Sequence, residues 1–374
     1  MTKPIVWSID DGYGDIKAYN GQPIGKIKED EKLNSYEYFQ RTGLLLIPSY
    51  VTTYRPKPVV DLEDGEKEDP FSYIAVTYNG RKYIVGQGAI DQDSRATWVG
   101  GNNKHKDYLF PVILATTLGL LASQEKSMVD LLSMGLPVEV EEDPKRRELL
   151  EKLVLKLHEI EIELADGTKF KRETYVKDLD IKKQPFGSLC DVILDNEGNI
   201  SDKEIAAGYN VIGDIGARTL NVFTLNALEP VRDLCFQTND GMFEAYKLIN
   251  TYIREKTGSF VAEGKLPSII ATGKVQGKDI IPDKEYCYQI HSNTISNQMD
   301  TRLANSWAVI DRIIWTGGGG EQLKSNLEDM FDEVQQIFLN RFSTAIGLRK
   351  QALRNYKRSK ATKASEKDET VSAS

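Results

Sequence analysis

A strand–turn–strand unit with an Asp-x-Gly turn occurs twice in this chain, and this repeat constrains the fold more than any other feature. The first copy is centred on residues 10–17, Asp-Asp-Gly-Tyr-Gly-Asp-Ile-Lys, between two predicted strands. The second is centred on residues 214–219, Asp-Ile-Gly-Ala-Arg-Thr, again between two predicted strands. Duplicated hairpins that alternate with predicted helices indicate an α/β protein built from two related lobes.

Each turn combines glycine with an acid, and this combination suits a phosphate and its metal ion. Because glycine has no Cβ, the backbone N–H groups of such a turn can approach a phosphate closely. A carboxylate beside the turn would repel the phosphate directly, so it suits a hydrated cation that bridges the two groups. Two such turns that face each other are predicted to hold a triphosphate and its Mg²⁺ between the lobes.

A third glycine-rich segment follows a predicted strand in the second half of the chain. Residues 312–315, Arg-Ile-Ile-Trp, lead through Thr316 into four consecutive glycines, Gly317–Gly320. Any one of the three segments alone is a weak signal, because an isolated glycine turn is usually only a turn. Their joint order along the chain is much more specific.

The predicted organisation is two lobes, each with a mixed sheet and flanking helices, with a nucleotide cleft between them. Lobe I covers residues 1–208 and contains a small inserted subdomain at about 21–84. Lobe II covers residues 209–355 and contains an insertion at about 232–295. From residue 356 the composition has no apolar period, so we expect a disordered tail over residues 356–374.

Local patterns predict several individual elements. Asn79-Gly80 between two alternating segments predicts a type I′ hairpin turn. Asp143-Pro144 predicts the start of a helix that extends to Glu159, with Asp as the N-cap and Pro at the first helical position. Further helices are expected over 296–311 and 328–340, and alternating turns and short strands over 257–290.

Composition excludes several classes of function. The formal net charge of −8 argues against direct DNA binding. Three scattered cysteines without a Cys-x-x-Cys pair, and three scattered histidines, argue against a disulfide framework or a zinc site and for a reducing cytosol. The longest apolar run, residues 109–122, is too short to cross a bilayer and predicts a buried core helix. We therefore expect a cytoplasmic protein without a signal peptide or membrane contact.

The three glycine-rich turns, in this order, resemble the actin/Hsp70/sugar-kinase superfamily over residues 1–355. Within it the chain most resembles the bacterial plasmid-segregation actins of the ParM/StbA type. The shared features are the doubled acid Asp10-Asp11, the strand 134–138, Gln184-Pro185 before a helix, and residues 314–321. The resemblance implies an actin-like fold.

The resemblance also implies roles for individual residues. The first turn binds the β- and γ-phosphates, with Lys17 neutralising their charge and Asp10 holding Mg²⁺ through water. Asp214 is the second acid that holds Mg²⁺ through water, or the group that positions water. The glycine run accommodates adenine, and the helix start at Asp240-Gly241 reaches the ribose. The implied nucleotide-binding set is Asp10, Gly12, Tyr13, Gly14, Lys17, Gly216, Ala217, Arg218, Asp240, Gly241, Gly317, Gly318 and Gly319.

Gln184 is the residue that the resemblance assigns to orienting the attacking water. In actin-like members this residue begins the helix that links the lobes, and Gln184, ahead of Pro185, has the matching place. An amide orients water but is a poor base, which suits slow, timed hydrolysis. Phosphoryl transfer to water depends mainly on positioning and charge neutralisation. Gln184 and Asp214 are therefore the implied catalytic residues.

The function that the resemblance implies is a filament-forming ATPase that uses ATP, or GTP, with Mg²⁺. It would segregate plasmid DNA by nucleotide-dependent polymerisation and hydrolysis-driven disassembly, with itself and a DNA-binding adaptor of the ParR type as partners. Two alternatives stay open: a small-molecule (sugar-type) kinase of the same fold, and an actin-like scaffold for cell shape or organelle positioning. Polymer formation with nucleotide separates the filament hypothesis from the kinase.

The second turn departs from the family pattern. Ala217-Arg218 occupies positions where the family usually has glycine, threonine or aspartate. Ala217 adds a methyl group where the backbone should approach phosphate. Arg218 either donates a charge-assisted hydrogen bond to phosphate or turns outward to a filament neighbour. Asn221 stands where many relatives have another Asp.

Overall fold

The structure is a computed structural model that describes residues 3–25, 27, 31–56, 68–92, 96–101, 103–137 and 143–372, with the backbone alone for residues 361 and 363–372. The helices are α1 Ser35–Thr42, α2 Gln87–Gln92, α3 Phe110–Leu121, α4 Pro144–Val154, α5 Gln184–Ile193, α6 Lys203–Ala207, α7 Met242–Thr257, α8 Leu266–Thr272, α9 Ile281–Leu303, α10 Gly317–Gln322, α11 Lys324–Met330 and α12 Ser343–Ser372. The strands are β1 Val6–Asp11, β2 Asp15–Tyr19, β3 Leu44–Pro48, β4 Tyr50–Thr53, β5 Ile74–Tyr78, β6 Arg81–Val85, β7 Thr97–Trp98, β8 Lys126–Val129, β9 Leu131–Leu136, β10 Leu157–Leu164, β11 Lys169–Val176, β12 Leu179–Lys183, β13 Tyr209–Ile215, β14 Leu220–Asn226, β15 Glu229–Pro230, β16 Phe236–Thr238, β17 Lys274–Val275, β18 Lys278–Asp279, β19 Arg312–Thr316 and β20 Gln335–Phe338.

The repeated hairpins occupy equivalent positions in two sheets. One sheet has the order β12-β9-β1-β2-β3, and the other has the order β15-β14-β13-β19-β20, with β16 also paired to β14. In each sheet the first strand of the hairpin, β1 or β13, pairs antiparallel with its partner and parallel with a later strand, β9 or β19. Both first strands are almost entirely buried, because each lies inside its sheet between two other strands. The predicted duplicated α/β architecture is confirmed.

A separate sheet, with the order β7-β4-β6-β5-β10-β11-β8, joins segments from distant parts of the first half. At the β5–β6 turn, Asn79 and Gly80 have φ values of 48° and 72°, as the predicted type I′ turn requires. The hairpin β10–β11 belongs to this sheet because β10 pairs antiparallel with β5. The sheet therefore extends beyond the predicted insertion at about 21–84. Strand pairing over such a separation leaves no local sequence signal. Residues 57–67 of the predicted insertion lie outside the described residues.

Helix α3 is the core of the first half. Among its residues only Pro111 is not fully buried, and the helix packs on β10 and β11 as well as on β2 and β3. This confirms the prediction of a buried core helix. Helix α4 begins as predicted, because the Asp143 side chain accepts hydrogen bonds from the backbone N–H groups of Lys145 and Arg146. It ends at Val154 rather than Glu159, since β10 begins at Leu157.

Three predictions for the second half differ from the structure. The turns and short strands expected over 257–290 give way to α8, the short β17–β18 hairpin and the first part of α9. The helix expected over 296–311 is the last part of this longer helix, which ends at Leu303. The buried face of α9 includes Cys287, His291, Ser292 and Ile295, so polar residues at helical spacing conceal its period. The helix expected over 328–340 divides into α11 and the strand β20, because β20 pairs in parallel with β19.

The predicted disordered tail is also wrong, because α12 continues through the backbone of residue 372. The segment after residue 355 has no apolar period, but it is rich in Lys, Ala and Glu, which have high helix propensity. Since the first part of α12 is docked in the protein, the later part extends an existing helix and needs no nucleation of its own.

Helices α5 and α12 lie between the two hairpin-containing sheets. Helix α5 contacts β9 and β12 of one sheet and β13, β14 and β19 of the other. Helix α12 packs along α5 and against β1, β2 and β9. The chain passes through α5 on its way from one sheet to the other, and α12 returns it to the first. None of the helices within the described part of the chain has the length and apolar character that a bilayer crossing requires.

Candidate functional site

The two Asp-x-Gly turns lie on one cleft of about 340 Å³ between the duplicated sheets. A larger depression of about 550 Å³ lies on the seven-stranded sheet, but its charged side chains include pairs such as Glu161 with Lys171 at 2.6 Å. The cleft between the sheets is the candidate site because the predicted residues converge there. Those that line it are Asp10, Gly12, Tyr13, Gly14, Lys17, Gln184, Asp214, Gly216, Ala217, Gly318 and Gly319.

Asp10 is the centre of a buried polar cluster on the first wall. Gln184 Nε2 donates to Asp10 Oδ1 at 2.7 Å, and Lys17 Nζ lies 3.4 Å from Asp10 Oδ2. The hairpin register places Asp10 directly opposite Lys17, whereas Gln184 is the first residue of α5. The burial of Lys17 opposes its charge, but the carboxylates of Asp10, Asp15 and Asp214 outweigh this effect and raise its pKa. Lys17 is therefore a cation held in the cleft by acids from both turns.

Asp214 occupies the corresponding place on the second wall, in a different environment. It pairs with Asn221 across the β13–β14 hairpin, and a Cβ on Gly317 would lie 2.6 Å from its Oδ1 atom. Burial, together with the nearby charge of Asp10, raises the pKa of Asp214 to about 7. Asn221 Nδ2 donates to Thr219 Oγ1 at 3.1 Å, while Asn221 Oδ1 is buried without a hydrogen-bond partner among the described residues. Asp214 thus titrates near neutrality beside a buried acceptor.

The two turns touch each other. A Cβ built on Gly14 would lie 2.7 Å from the Ala217 methyl group, so the turns approach at van der Waals distance only because residue 14 is glycine. The guanidinium of Arg218 lies 5.9 Å from the centre of the Tyr13 ring. Arg218 therefore neither lines the cleft nor turns away from the molecule, since it contacts the opposite turn through the ring.

The start of α7 supports the second turn from behind. The backbone N–H groups of Gly241, Met242 and Phe243 donate to the carbonyls of Arg218, Gly216 and Ala217, at 3.2, 3.0 and 2.8 Å. This contact uses the unpaired donors of the helix N-terminus. Neither Asp240 nor Gly241 lines the cleft, so the structure places them beneath the turn and not at its surface.

The glycine run forms the first turn of α10. Gly317 has a φ of 80°, a conformation that favours glycine, and it lies behind the cleft wall against Ile215 and Asp214. Gly318 and Gly319 line the cleft, together with Gln322 of the same helix. Gln322 Oε1 accepts hydrogen bonds from the hydroxyls of Tyr246 and Tyr288, at 3.0 and 2.6 Å.

Two family models match the chain, one before and one after residues 188–211. The model "Actin like proteins N terminal domain" matches residues 8–187, and "Archaeal actin homologue MreB-like, C-terminal" matches residues 212–329. The chain belongs to the actin-like proteins. The two matches together include both Asp-x-Gly turns, Gln184 and the glycine run of this actin-like protein.

Relatives agree with this assignment. An archaeal actin homolog from Thermoplasma volcanium is 26% identical over 260 residues, which cover 68% of this chain and 75% of the relative. Among solved structures, a 15-stranded ParM filament from Clostridium botulinum has a TM-score of 0.71 at 22% identity, covering 94% of this chain and 100% of that chain. An archaeal actin homolog in complex with ADP has a TM-score of 0.67 at 19% identity, with coverage of 94% and 99%. The predicted actin-like fold is confirmed.

Sequence reasoning did not identify several residues of the site in this actin-like protein. Asp15, Thr219, Tyr246, Gln322 and Arg341 all line the cleft, as does Asn221, which the sequence showed only as a departure from the family pattern. Behind the first turn, Lys104 and His105 contact Asp11 at 2.9 and 2.7 Å. Asp15 and Thr219 belong to the two turns and were accessible to motif analysis. Lys104, His105 and Arg341 come from distant segments that carry no recognisable motif.

Proposed function

We propose that this actin-like protein hydrolyses a nucleoside triphosphate and assembles into filaments in a nucleotide-dependent manner. The observation that carries the proposal is the arrangement of Lys17, Gln184 and two acids, Asp10 and Asp214, around one cleft between two touching glycine turns. A cation for phosphate charge, an amide for water and two acids for a hydrated metal are the groups that this reaction needs.

The residues present fit a nucleotide with Mg²⁺. Gly12, Gly14 and Gly216 leave the backbone of both turns open toward the cleft. Within the described residues no cluster of three or more His, Cys, Asp or Glu side chains encloses a metal, which favours Mg²⁺ held by Asp10 and Asp214 through water. The unpartnered Asn221 Oδ1 atom supplies a buried acceptor for such a water. When bound, the nucleotide and Mg²⁺ supply the phosphoanhydride bond and the charge that polarises it.

The side chains divide the work of hydrolysis. Lys17 binds phosphate oxygens and neutralises their charge. The hydrogen bond that Gln184 Nε2 donates to Asp10 orients the carboxamide, and its Oε1 atom would accept from a water in line with the terminal phosphate. Asp214, with a pKa of about 7, accepts or releases a proton in the working pH range. Gly318, Gly319 and Gln322 also line the cleft and bind the base and ribose of ATP or GTP.

Plasmid DNA partition is the biological role that we propose for the filament. Support comes from the likeness of the fold to a ParM filament subunit, at a TM-score of 0.71. Because the chain carries a net charge of −8, we expect DNA to be reached through a basic adaptor of the ParR type and not directly. The cytoplasm is the expected location.

Sedimentation and negative-stain electron microscopy test the proposal. We expect pelleted filaments with ATP·Mg²⁺ or GTP·Mg²⁺, and none with Mg²⁺ alone. The absence of polymer at every protein concentration would contradict the filament assignment. ADP release that depends on an added sugar would favour the small-molecule kinase instead.

Two substitutions test the catalytic assignments. Asp214→Ala should retain nucleotide binding and give filaments that persist after wild-type filaments have disassembled, because hydrolysis is blocked. Gln184→Ala should act in the same direction but more weakly, with a hydrolysis rate lowered by about 10²-fold or more. Phosphate release and light scattering, followed together, measure both effects.

The matched control is Glu255→Ala, which removes an exposed carboxylate on α7 far from the cleft. It should polymerise and hydrolyse like the wild type. Rapid disassembly of the Asp214→Ala filaments, at the rate of this control, would contradict the role of Asp214.

A further inference from the structure

The outer side of the first turn is held by two side chains that the proposed chemistry does not use. Lys104 Nζ donates to the carbonyl of Asp11 and, at 3.1 Å, to the carbonyl of Gly12. Trp98 Nε1 donates to the carbonyl of the next residue, Tyr13, at 2.8 Å. Three consecutive carbonyls of the turn are therefore bonded to two side chains that lie close in sequence, Trp98 and Lys104.

The direction of these three carbonyls determines where the N–H groups of the turn point. In a trans peptide the C=O of one residue and the N–H of the next point in opposite directions across a rigid plane. Because the carbonyls of residues 11, 12 and 13 point to Lys104 and Trp98, the N–H groups of Gly12, Tyr13 and Gly14 point the other way. These three residues line the cleft. A row of N–H groups on a glycine turn is a binding surface for phosphate oxygens.

Lys104 is held in a site built for a charged group. Its ammonium lies 2.9 Å from Asp11 Oδ1, and His105 Nε2 lies 2.7 Å from Asp11 Oδ2. Asp11 is 1% exposed and Lys104 and His105 are each 5% exposed. The Lys104 ammonium also lies 5.3 Å from the centre of the Tyr13 ring. Burial of such charges is costly unless each is paired and hydrogen-bonded, as here.

We infer that Lys104, assisted by Trp98, is a positioning residue that sets the phosphate-binding face of the first turn. Asp11, the second acid of the doubled Asp10-Asp11 motif, holds Lys104 in place and does not face the phosphate. The inference rests on the proposed nucleotide binding and deepens it.

Comparison of ligands with and without phosphates tests the inference. Lys104→Met removes the donor and the charge while retaining most of the side-chain volume. We expect its affinity for ATP and ADP to fall by about tenfold or more, corresponding to the loss of charge-assisted hydrogen bonds in the turn. Affinity for adenosine, measured by competition against a fluorescent nucleotide, should stay within about twofold of the wild type. A purely structural role would weaken all three ligands alike.

A second pair of variants keeps the test valid if Lys104→Met does not fold, since that change leaves the Asp11 carboxylate buried with His105 alone. The double variant Asp11→Asn/Lys104→Met removes both charges together and should show the same selective loss. Trp98→Phe removes only the donor to Tyr13 and keeps an aromatic ring against Phe243, which lies 5.9 Å from Trp98. It should show a smaller loss for ATP and none for adenosine.

The outcomes separate this inference from the proposed function. If the wild type binds ATP tightly and the variants bind it equally well, the inference alone is overturned. Equal losses for ATP and adenosine also overturn it, because the segment then only supports the fold. If the wild type binds no nucleotide, the proposed function fails and the inference fails with it.

Discussion

At the scale of single residues, the duplicated turns place the same residue type in two different environments. Asp10 accepts hydrogen bonds from Lys17 and Gln184, whereas Asp214 lies against the backbone of Gly317 and beside Asn221. Burial with Asp10 nearby raises the pKa of Asp214 to about 7, from an ordinary value of 3.8. One acid is therefore held by donors, and the other is a proton-exchanging group near neutral pH.

This difference predicts a pH dependence of stability. The folded pKa of Asp214 is raised, so below about pH 4 both the folded and the unfolded states carry the proton and stability is fully present. Between about pH 4 and pH 7 the unfolded state loses the proton first, and the free energy of unfolding falls as pH rises. Since one pKa unit corresponds to about 1.4 kcal/mol, the total fall amounts to roughly a few kcal/mol.

Asp214→Asn isolates this contribution, because an amide does not titrate. We expect the nucleotide-free wild type to lose stability relative to Asp214→Asn between pH 4 and pH 7, in urea denaturation at a series of pH values. Above pH 7 the difference should become constant. A difference that stays flat over the whole range would show that the pKa of Asp214 is not raised in the folded protein.

At the scale of elements, α5 and α12 cross at a contact made by two glycines. A Cβ on Gly347 would lie 1.8 Å from the carbonyl oxygen of Gly187 and 2.4 Å from the backbone nitrogen of Asp191. A Cβ on Gly187 would in turn lie 2.8 Å from the carbonyl oxygen of Thr344. Because backbone opposes backbone here, no side-chain adjustment can make room. The start of α5, which carries Gln184, is positioned by this contact.

Gly347→Ala should therefore destabilise the protein, although glycine to alanine inside a helix normally stabilises by up to about 1 kcal/mol. We expect the free energy of unfolding to fall by about 1–3 kcal/mol or more, the usual effect of overpacking. The measurement is urea denaturation. Ser359→Ala, at an exposed position of the same helix, is the control and should be neutral or slightly stabilising. Equal behaviour of the two variants would contradict the close helix contact.

At the scale of the whole molecule, the two halves contact each other at two places around the cleft. The turns meet through Gly14 and Ala217, and Arg218 lies over Tyr13. Toward the seven-stranded sheet, a Cβ on Gly264 would lie 3.2 Å from the Tyr50 ring, and Gly264, Tyr50 and the nearby Glu263 all line the cleft. The two halves therefore contact each other at two places around the cleft, and a ligand in the cleft would contact both halves.

Closure at the turns predicts the effect of a single methyl group. Gly14→Ala places a Cβ 2.7 Å from that of Ala217, so the turns must separate. We expect faster release of a fluorescent ADP analogue and less ATP-dependent polymer. The reciprocal double variant Gly14→Ala/Ala217→Gly restores one methyl group at the contact and should recover most of the loss.

Gly25→Ala is the control for this prediction, since within the described residues no atom lies within 4 Å of a Cβ at that exposed position. It should behave like the wild type. Failure of the double variant to recover nucleotide retention would show that Gly14 serves the turn conformation and not the contact between the halves.

The sequence by itself determined the duplicated hairpins, the actin-like fold and the glycine-turn residues that line the cleft. Asp10, Lys17 and Gly216 belong to turns of a few residues, and such turns need only local conformation to present their groups. The helix N-cap at Asp143 and the Asn79-Gly80 turn were predictable for the same reason.

Only the tertiary structure decided what lies behind and between those turns. Lys104 reaches Asp11 from a distant segment, and strand pairing brings β10 beside β5. Polar residues on the buried face of α9 concealed its helical period. β20 is a strand because it pairs in parallel with β19. Arg218 and Asp240 belong to the motifs, yet packing places them off the cleft. Contacts between residues distant in sequence depend on the closure of the whole chain, and no local pattern encodes them.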